Sequence, residues 1–395
     1  MLVDLHNHYP MHIGQSLPPA RALFGDKDSR MRLLDRIDQK LIYQFGRLGN
    51  HESFHSGPRV SLGKLRDGGA SVACSVLLLP ALEFGDRLTR FYSRRYPYGA
   101  PPRAHYFPAL LRQLEAVERS IEESRLDVRI ARSGTELEAC LERGDLVLIH
   151  CVEGGFHLGA TPGAVEAAVA ELATRGVAYI TLAHLFWRRV ATNVPLFPVG
   201  RRRSEAVYKR LFPQPAYGLS ELGRAAVRAL VRHRVLIDVA HMSHRALDET
   251  FALLDELDPR RSVPVLSSHS AFRFGSAPYN ADAETVARIS ERGGVVGLIL
   301  AERFLGDGLG RPRPRSFADG FELLSAHIDR LAEITGSHAH TAIGSDLDGF
   351  IKPTLPGLEN AAKLDRLRSA LIERYGDAGG DIAARNVLRV LHRAW

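Results

Sequence analysis

A closed (β/α)8 TIM-like barrel, eight parallel strands each leading towards a helix, is the α/β architecture expected of this chain. Three observations carry it. Short apolar, β-branched runs alternate with helical patterns along the whole chain. The runs are almost continuously apolar, as strands buried on both faces of a parallel sheet must be. No G-x-G-x-x-G follows any of them, which tells against the rival doubly wound open sheet.

The elements follow in order. Strand 1 is read at LVDLH (2–6), with Pro10 stopping it soon after. A long connection over 9–70 contains a helical stretch at 31–48. Strand 2 is SVACSVLLLP (71–80), followed by an amphipathic helix over 107–124. Strand 3, DLVLIHC (145–151), leads to a helix over 162–176, with Pro162 near its start and Gly176 after its end. Strand 4, VAYITLAH (177–184), runs into a second long connection, 185–218. A helix over 220–233, capped by Ser220, leads to strand 5, VLIDVAH (235–241). Strand 6 is VPVLSSH (263–269); a helix over 283–293 ends at Gly293. Strand 7 is GVVGLIL (294–300), a helix covers 321–336, and strand 8 is HTAIGSDL (340–347). A single barrel domain over 1–395 accommodates all of this. Loops as long as those after strands 1 and 4 are usually functional. The second is rich in Arg and aromatic residues, which suits a cover over substrate.

Composition narrows the function. The chain has 395 residues and a net charge of +7, yet only six Lys; the other 46 of its 52 basic residues are Arg. They are scattered among acids, and Arg201-Arg202-Arg203 is the one dense run, so no nucleic-acid surface is expected. Cys74, Cys140 and Cys151 lack metal or redox spacing, and Cys74 and Cys151 sit in apolar runs as buried thiols would. No signal-peptide pattern and no long apolar run occurs, and Met1 stands directly before a strand. A soluble cytoplasmic protein without a membrane partner is therefore expected.

The polar residues at the strand ends point to chemistry. Strand 1 delivers His6-x-His8, and strand 3 runs into Glu153. Strands 4, 5 and 6 end at His184, His241 and His269, and strand 8 carries Asp346. In a barrel these ends meet on one face. Buried ionisable groups are costly unless paired or coordinated, and a shared metal ion satisfies them. Imidazoles with carboxylates suit Zn2+ best among the transition metals. His6 and His8, two apart on a strand, share a face if the strand extends to His8.

The chain resembles the membrane (renal) dipeptidase family of zinc peptidases, within the amidohydrolase superfamily. The matching stretches are DLHNHYP (4–10), LRDGGA (65–70), VEGG (152–155), GVAYITLAH (176–184), YGLSELG (217–223), VLIDVAHMS (235–243), PVLSSHS (264–270), AIGSDLDG (342–349) and NVLRVL (386–391). They span nearly the whole chain in family order. The resemblance implies two zinc ions, one held by His6 and His8 and one by His241 and His269, with Glu153 bridging. It implies a metal-bridging hydroxide as nucleophile, His184 binding the substrate carbonyl oxygen, and Asp346 handling the water proton and facing the substrate amine. It also implies a small peptide or amide substrate and hints at a homodimer.

Two departures qualify this. The family opens with His-x-Asp, whereas here position 8 is His8. Neutral imidazole in place of carboxylate makes the site about one charge more positive, which leaves one metal as an alternative to two. The family also grips the dipeptide carboxylate with Arg in a Pro-Arg-Asn stretch, and here the residues are Pro278-Tyr279-Asn280. Tyr279 and Asn280 would face substrate, with Arg273, or an Arg of the second long loop, supplying the missing charge. A homologue with altered substrate or lost peptidase activity is the alternative. A metal-dependent phosphoesterase, suggested by DLHNH and the positive charge, is a weaker one.

Overall fold

The computed structural model describes residues 1–15, 49–51, 57–84, 99, 101–196 and 204–395. The expected helix at 31–48 and the Arg201–Arg203 run lie outside the described residues. Nine parallel strands form the sheet: β1 Val3–Asn7, β2 Val72–Leu77, β3 Val128–Ile130, β4 Leu146–Glu153, β5 Tyr179–Thr181, β6 Leu236–Asp238, β7 Val265–Ser270, β8 Val295–Leu298 and β9 Thr341–Ile343. Eight of them run in the order β1-β2-β4-β5-β6-β7-β8-β9. The ends meet where Asn7 bridges Leu347 in parallel, the His8 amide donates to the Leu347 carbonyl (3.0 Å), and the Asp346 amide donates to that of His6 (2.8 Å). The expected (β/α)8 barrel is the observed fold.

The ninth strand, β3, is unforeseen. Only Val128 of its three residues is buried, so it has no apolar run to announce it. It pairs with the first residues of β4 (Val128 with Leu146, Ile130 with Leu148), while β4 meets β5 only through Val152 and Glu153.

Two packing layers hold the barrel. Val3, Val72, Val147, Ile149, Leu236, Leu266, Val295 and Ala342 fill its interior and continue into Val387, Leu388 and Leu391 of the C-terminal helix Asn386–Ala394. That helix closes the N-terminal end of the barrel and leaves the other end for chemistry. Outside, helices such as Tyr106–Glu122, Pro162–Thr174 and Glu221–Arg232 bury Leu114, Val117, Val169, Leu172, Val227 and Leu230 against the strands.

Helix starts follow the sequence signals. Ser220 accepts from the Gly223 amide, and Thr161 caps the helix that opens with Pro162. The helix expected from 321 starts earlier, at Phe317, because Ser316 and Asp319 form a reciprocal capping box. Gly344 is obligatory: a Cβ there would lie 1.8 Å from the Ser268 carbonyl oxygen, so the turn after β9 can approach β7 only without a side chain. Among the described residues, no helix is long and apolar enough to cross a membrane.

Candidate metal centre

Glu153 sits at the middle of the open end. Val147, Ile149 and Cys151 alternate into the barrel along β4, and Glu153 is the last of that series. Both its oxygens are buried, and neither has a hydrogen-bond partner among the described residues. Ring nitrogens surround them instead. Oε1 lies 3.3 Å from Nε2 of His241, 3.3 Å from Nε2 of His269 and 3.8 Å from Nε2 of His6. Oε2 lies 3.4 Å from Nε2 of both His8 and His184.

Two local breaks in strand geometry aim the histidines. In β1, Val3 pairs with Val72 and Asp4 with Ala73, but Asn7 pairs with Ser75, a register shift of one residue. Val3 and Leu5 point inward below the shift, and His6 and His8 point inward above it, with their Nε2 atoms 3.3 Å apart. A second shift in β7, between Ser267 and Ser270, lets the consecutive residues Ser268 and His269 both reach the site. His184, His241 and Asp346 each lie three residues beyond the end of β5, β6 or β9, so the strands read through 184, 241 and 347 are shorter than expected. His241 (φ 64°) and Asp346 (φ 55°) adopt left-handed backbone, which stops the strand and turns the side chain over the barrel mouth.

Ser268 links the histidines from below. Its hydroxyl donates to Oδ2 of Asp238 (2.6 Å), so it can only accept from Nδ1 of His6 (2.9 Å) and Nδ1 of His269 (2.8 Å). Both imidazoles thereby carry a proton on Nδ1 and turn Nε2 towards Glu153. Asp238 is itself held by Thr181 (2.5 Å) and by the Ser268 amide (2.8 Å). Tyr179 adds a hydroxyl 3.0 Å from Nδ1 of His6, its own proton given to the Leu5 carbonyl.

The electrostatics separate the rings. Burial, and then the neighbouring His269 charge, drive the His6 pKa well down; burial chiefly takes that of His241 to about 3. Both are neutral, as metal-ligating imidazoles must be. His184 differs: burial opposes its charge, but Glu153 and Glu83 together lift its pKa to about 9. Glu83, fully buried, contacts Nδ1 of His184 and accepts the Phe186 amide (3.0 Å). His269, against its own burial, is lifted by Asp346 and Glu153. Burial would raise the Glu153 pKa, yet His184 and the other rings hold it well below the usual carboxylate range.

Three sets of donor atoms lie close enough to hold an ion: His6, Glu153 and His269; His6, His8 and Asp346; and Glu153, His184 and His241. A carboxylate with two orphaned buried oxygens among converging Nε2 atoms fits a divalent cation well, and one of the nitrogen–oxygen type rather than a thiolate site. Oδ1 of Asp346 stands 3.2 Å from Nε2 of His8. Above the cluster opens a narrow cleft, walled by His8, Glu153, His184, His241, His269 and Asp346, together with Tyr279, Arg303 and apolar side chains.

Not every anticipated residue reaches this cleft. Tyr279 does, but its hydroxyl is already given to the His269 carbonyl (2.7 Å). Asn280 is fully buried and holds the Phe304 carbonyl (2.9 Å). Arg273 lies elsewhere: its guanidinium meets the carbonyls of Asn280 and Pro278 and Asp282, and it lines a separate groove with Thr192 and His244. Glu83 and Arg303 escaped the sequence reading. An acid inside the apolar PALEFG, just past strand 2, was the one available signal for the first. Nothing distinguished Arg303 from the many other Arg residues.

Comparison with known proteins gives the family and the fold. A family model described as membrane dipeptidase, peptidase family M19, matches residues 1–394. An uncharacterized dipeptidase of Schizosaccharomyces pombe is 32% identical over 180 residues, 44% of this chain and 39% of that protein. A second uncharacterized dipeptidase of that yeast is 25% identical over 286 residues, 72% of this chain and 61% of that protein. The matches thus span less than two thirds of either of these relatives. Among solved structures, a metallo peptidase from Rhodobacter sphaeroides, liganded with a phosphinate mimic of the dipeptide L-Ala-D-Ala, has a TM-score of 0.70. It covers 100% of this chain and 99% of its own at 20% identity. The dipeptidase AC, a metallo peptidase of family M19, gives the same TM-score and identity, covering 98% of its own chain. At such identity these two likenesses speak for the fold.

Proposed function

The chain belongs to the membrane dipeptidase family, peptidase family M19, and on that premise we propose that it is a zinc-dependent hydrolase of a dipeptide or similar amide bond. The observation that carries the proposal is Glu153, ionised and buried, with five histidine Nε2 atoms within 3.8 Å of its oxygens. His6 and His8 would hold one ion and His241 and His269 another, with Glu153 shared between them. When bound, such metal acidifies a water and polarises a carbonyl.

The chain's own residues do the rest. Asp346, over the cluster and ionisable, receives the water proton and returns it to the leaving amine. His184 is protonated at neutral pH through Glu83 and Glu153, so its Nε2 can meet the carbonyl oxygen as negative charge grows there. Leu185 and Leu196, from the connection after β5, wall the cleft and keep water from the reacting bond. This supports a covering role for that connection. Buried free Cys74, Cys140 and Cys151 support a cytoplasmic location.

The deciding experiment is a panel of free dipeptides, carboxamide-blocked dipeptides and N-acyl amino acids, assayed before and after chelation. Hydrolysis of at least one class, lost on chelation and restored by Zn2+, is expected. Metal-independent turnover, or cleavage of a phosphomonoester and none of the panel, would overturn the proposal. Glu83 gives a finer check. Glu83→Gln keeps an acceptor for His184 but removes the charge that helps to protonate it, so kcat should fall about 10-fold with KM little changed. Unaltered kcat would remove His184 from the electrophile's role.

A further inference from the structure

Ser268 steadies His6 and His269 at Nδ1, but it does not reach His241. The Nδ1 of His241 is buried and, among the described residues, has no hydrogen-bond partner. A metal-ligating imidazole ordinarily takes its orientation from a bond at its second nitrogen. For His241, packing supplies it instead. Two rings meet it edge-on: His184 (centroids 4.7 Å apart, interplanar angle 68°) and Tyr279 (5.0 Å, 72°). Such edge-to-face pairs fix relative orientation as well as burying area.

Tyr279 is itself firmly placed. Its loop leaves β7 at Ser270 and is drawn back by the backbone: the Ala281 amide donates to the Ala271 carbonyl and the Arg273 amide to the Ala281 carbonyl (2.8 Å each). The Tyr279 ring stacks on Phe304 (centroids 4.4 Å apart), and the next side chain, Asn280, donates to the Phe304 carbonyl (2.9 Å). From there Tyr279 gives its hydroxyl proton to the carbonyl of His269 (2.7 Å). One side chain thus touches both histidines assigned above to a single ion, the ring of one and the backbone of the other. We infer that Tyr279 is a positioning residue of the metal centre. Its ring sets the plane of His241, and its hydroxyl sets the backbone from which His269 projects. The two Nε2 atoms, 3.0 Å apart, are thereby brought together on Oε1 of Glu153.

This inference rests on the metal-centre reading above, so its test reads the metal and not turnover. The probe is Co2+, titrated into the full chain after chelation and followed by its visible absorption; Zn2+ affinity is then measured by competition with a chromophoric chelator. Tyr279→Phe keeps the ring and removes the hydroxyl, and affinity for the ion on the His241 side should fall about 2- to 10-fold, the scale of one hydrogen bond. Tyr279→Leu removes the ring as well and should lower it about 10- to 100-fold, the scale of losing an outer partner, with a changed Co2+ spectrum. In His241→Ala, which has already lost that ion's ligand, Tyr279→Leu should weaken metal binding no further. Unchanged affinity and spectrum in Tyr279→Leu, or equal losses with and without His241, overturn the inference and leave the hydrolase reading standing. If Tyr279→Leu does not fold, Tyr279→Phe decides, and unchanged affinity there overturns the inference. A chain that shows the Tyr279 dependence yet hydrolyses nothing in the panel sinks the hydrolase reading alone. A chain that takes up neither Co2+ nor Zn2+ sinks both.

Discussion

Glu153→Gln should lower kcat/KM by roughly 10³-fold or more, the scale of losing the electrostatic centre of an active site. The substitution is nearly isosteric, so packing is not what it tests. It removes the one charge that faces Nε2 of His6, His8, His184, His241 and His269 together. It also puts an amide N–H2 where an oxygen now stands, so that the position accepts fewer hydrogen bonds from the rings around it. Metal content by mass spectrometry should fall with activity, while circular dichroism stays that of the folded barrel. Full metal and full turnover in Glu153→Gln would show that the histidines act without a shared carboxylate.

Ser268→Ala is the second large effect. Losing this hydroxyl removes a partner from Nδ1 of both His6 and His269 and leaves Asp238 one donor poorer. Each imidazole then loses a contact that helps to fix its tautomer and ring plane. Removing such an outer partner typically costs 10- to 100-fold in metal affinity; as two ligands share this one, about 100-fold is expected. Competition with a chromophoric chelator measures it directly. His6 keeps Tyr179 as a partner, whereas among the described residues Nδ1 of His269 is held by Ser268 alone, so the sites on the two sides of Glu153 should weaken unequally. An affinity unchanged within about twofold would make Ser268 a packing residue only, the usual scale of an outer partner being far larger. Ser268→Thr, which keeps the hydroxyl, should retain most of the affinity if its extra methyl is accommodated.

Much of this site was legible before folding. The residues that surround Glu153 are those the strand-end reading collected, because alternation along a strand and convergence in a barrel are both written in one dimension. The i, i+2 spacing placed His6 and His8 together. It could not say that a register shift in β1 would turn that pair inward, since a bulge depends on how β2 pairs with it. The same holds for Ser268 and His269, adjacent residues that an ordinary strand would send to opposite faces.

The barrel, the order of its principal strands and the histidines and carboxylates that meet at one end all follow from the linear chain. Hydrophobic period and residue type are local, and they suffice for that. Which groups finish the site was settled by folding. Folding placed Glu83 behind His184 across 101 residues of chain. It committed Arg273 to the carbonyls of its own loop, and it used Tyr279 and Asn280 to brace the turn bearing Arg303. Burial and the partners that satisfy a charge depend on contacts between distant segments, and no local pattern encodes them.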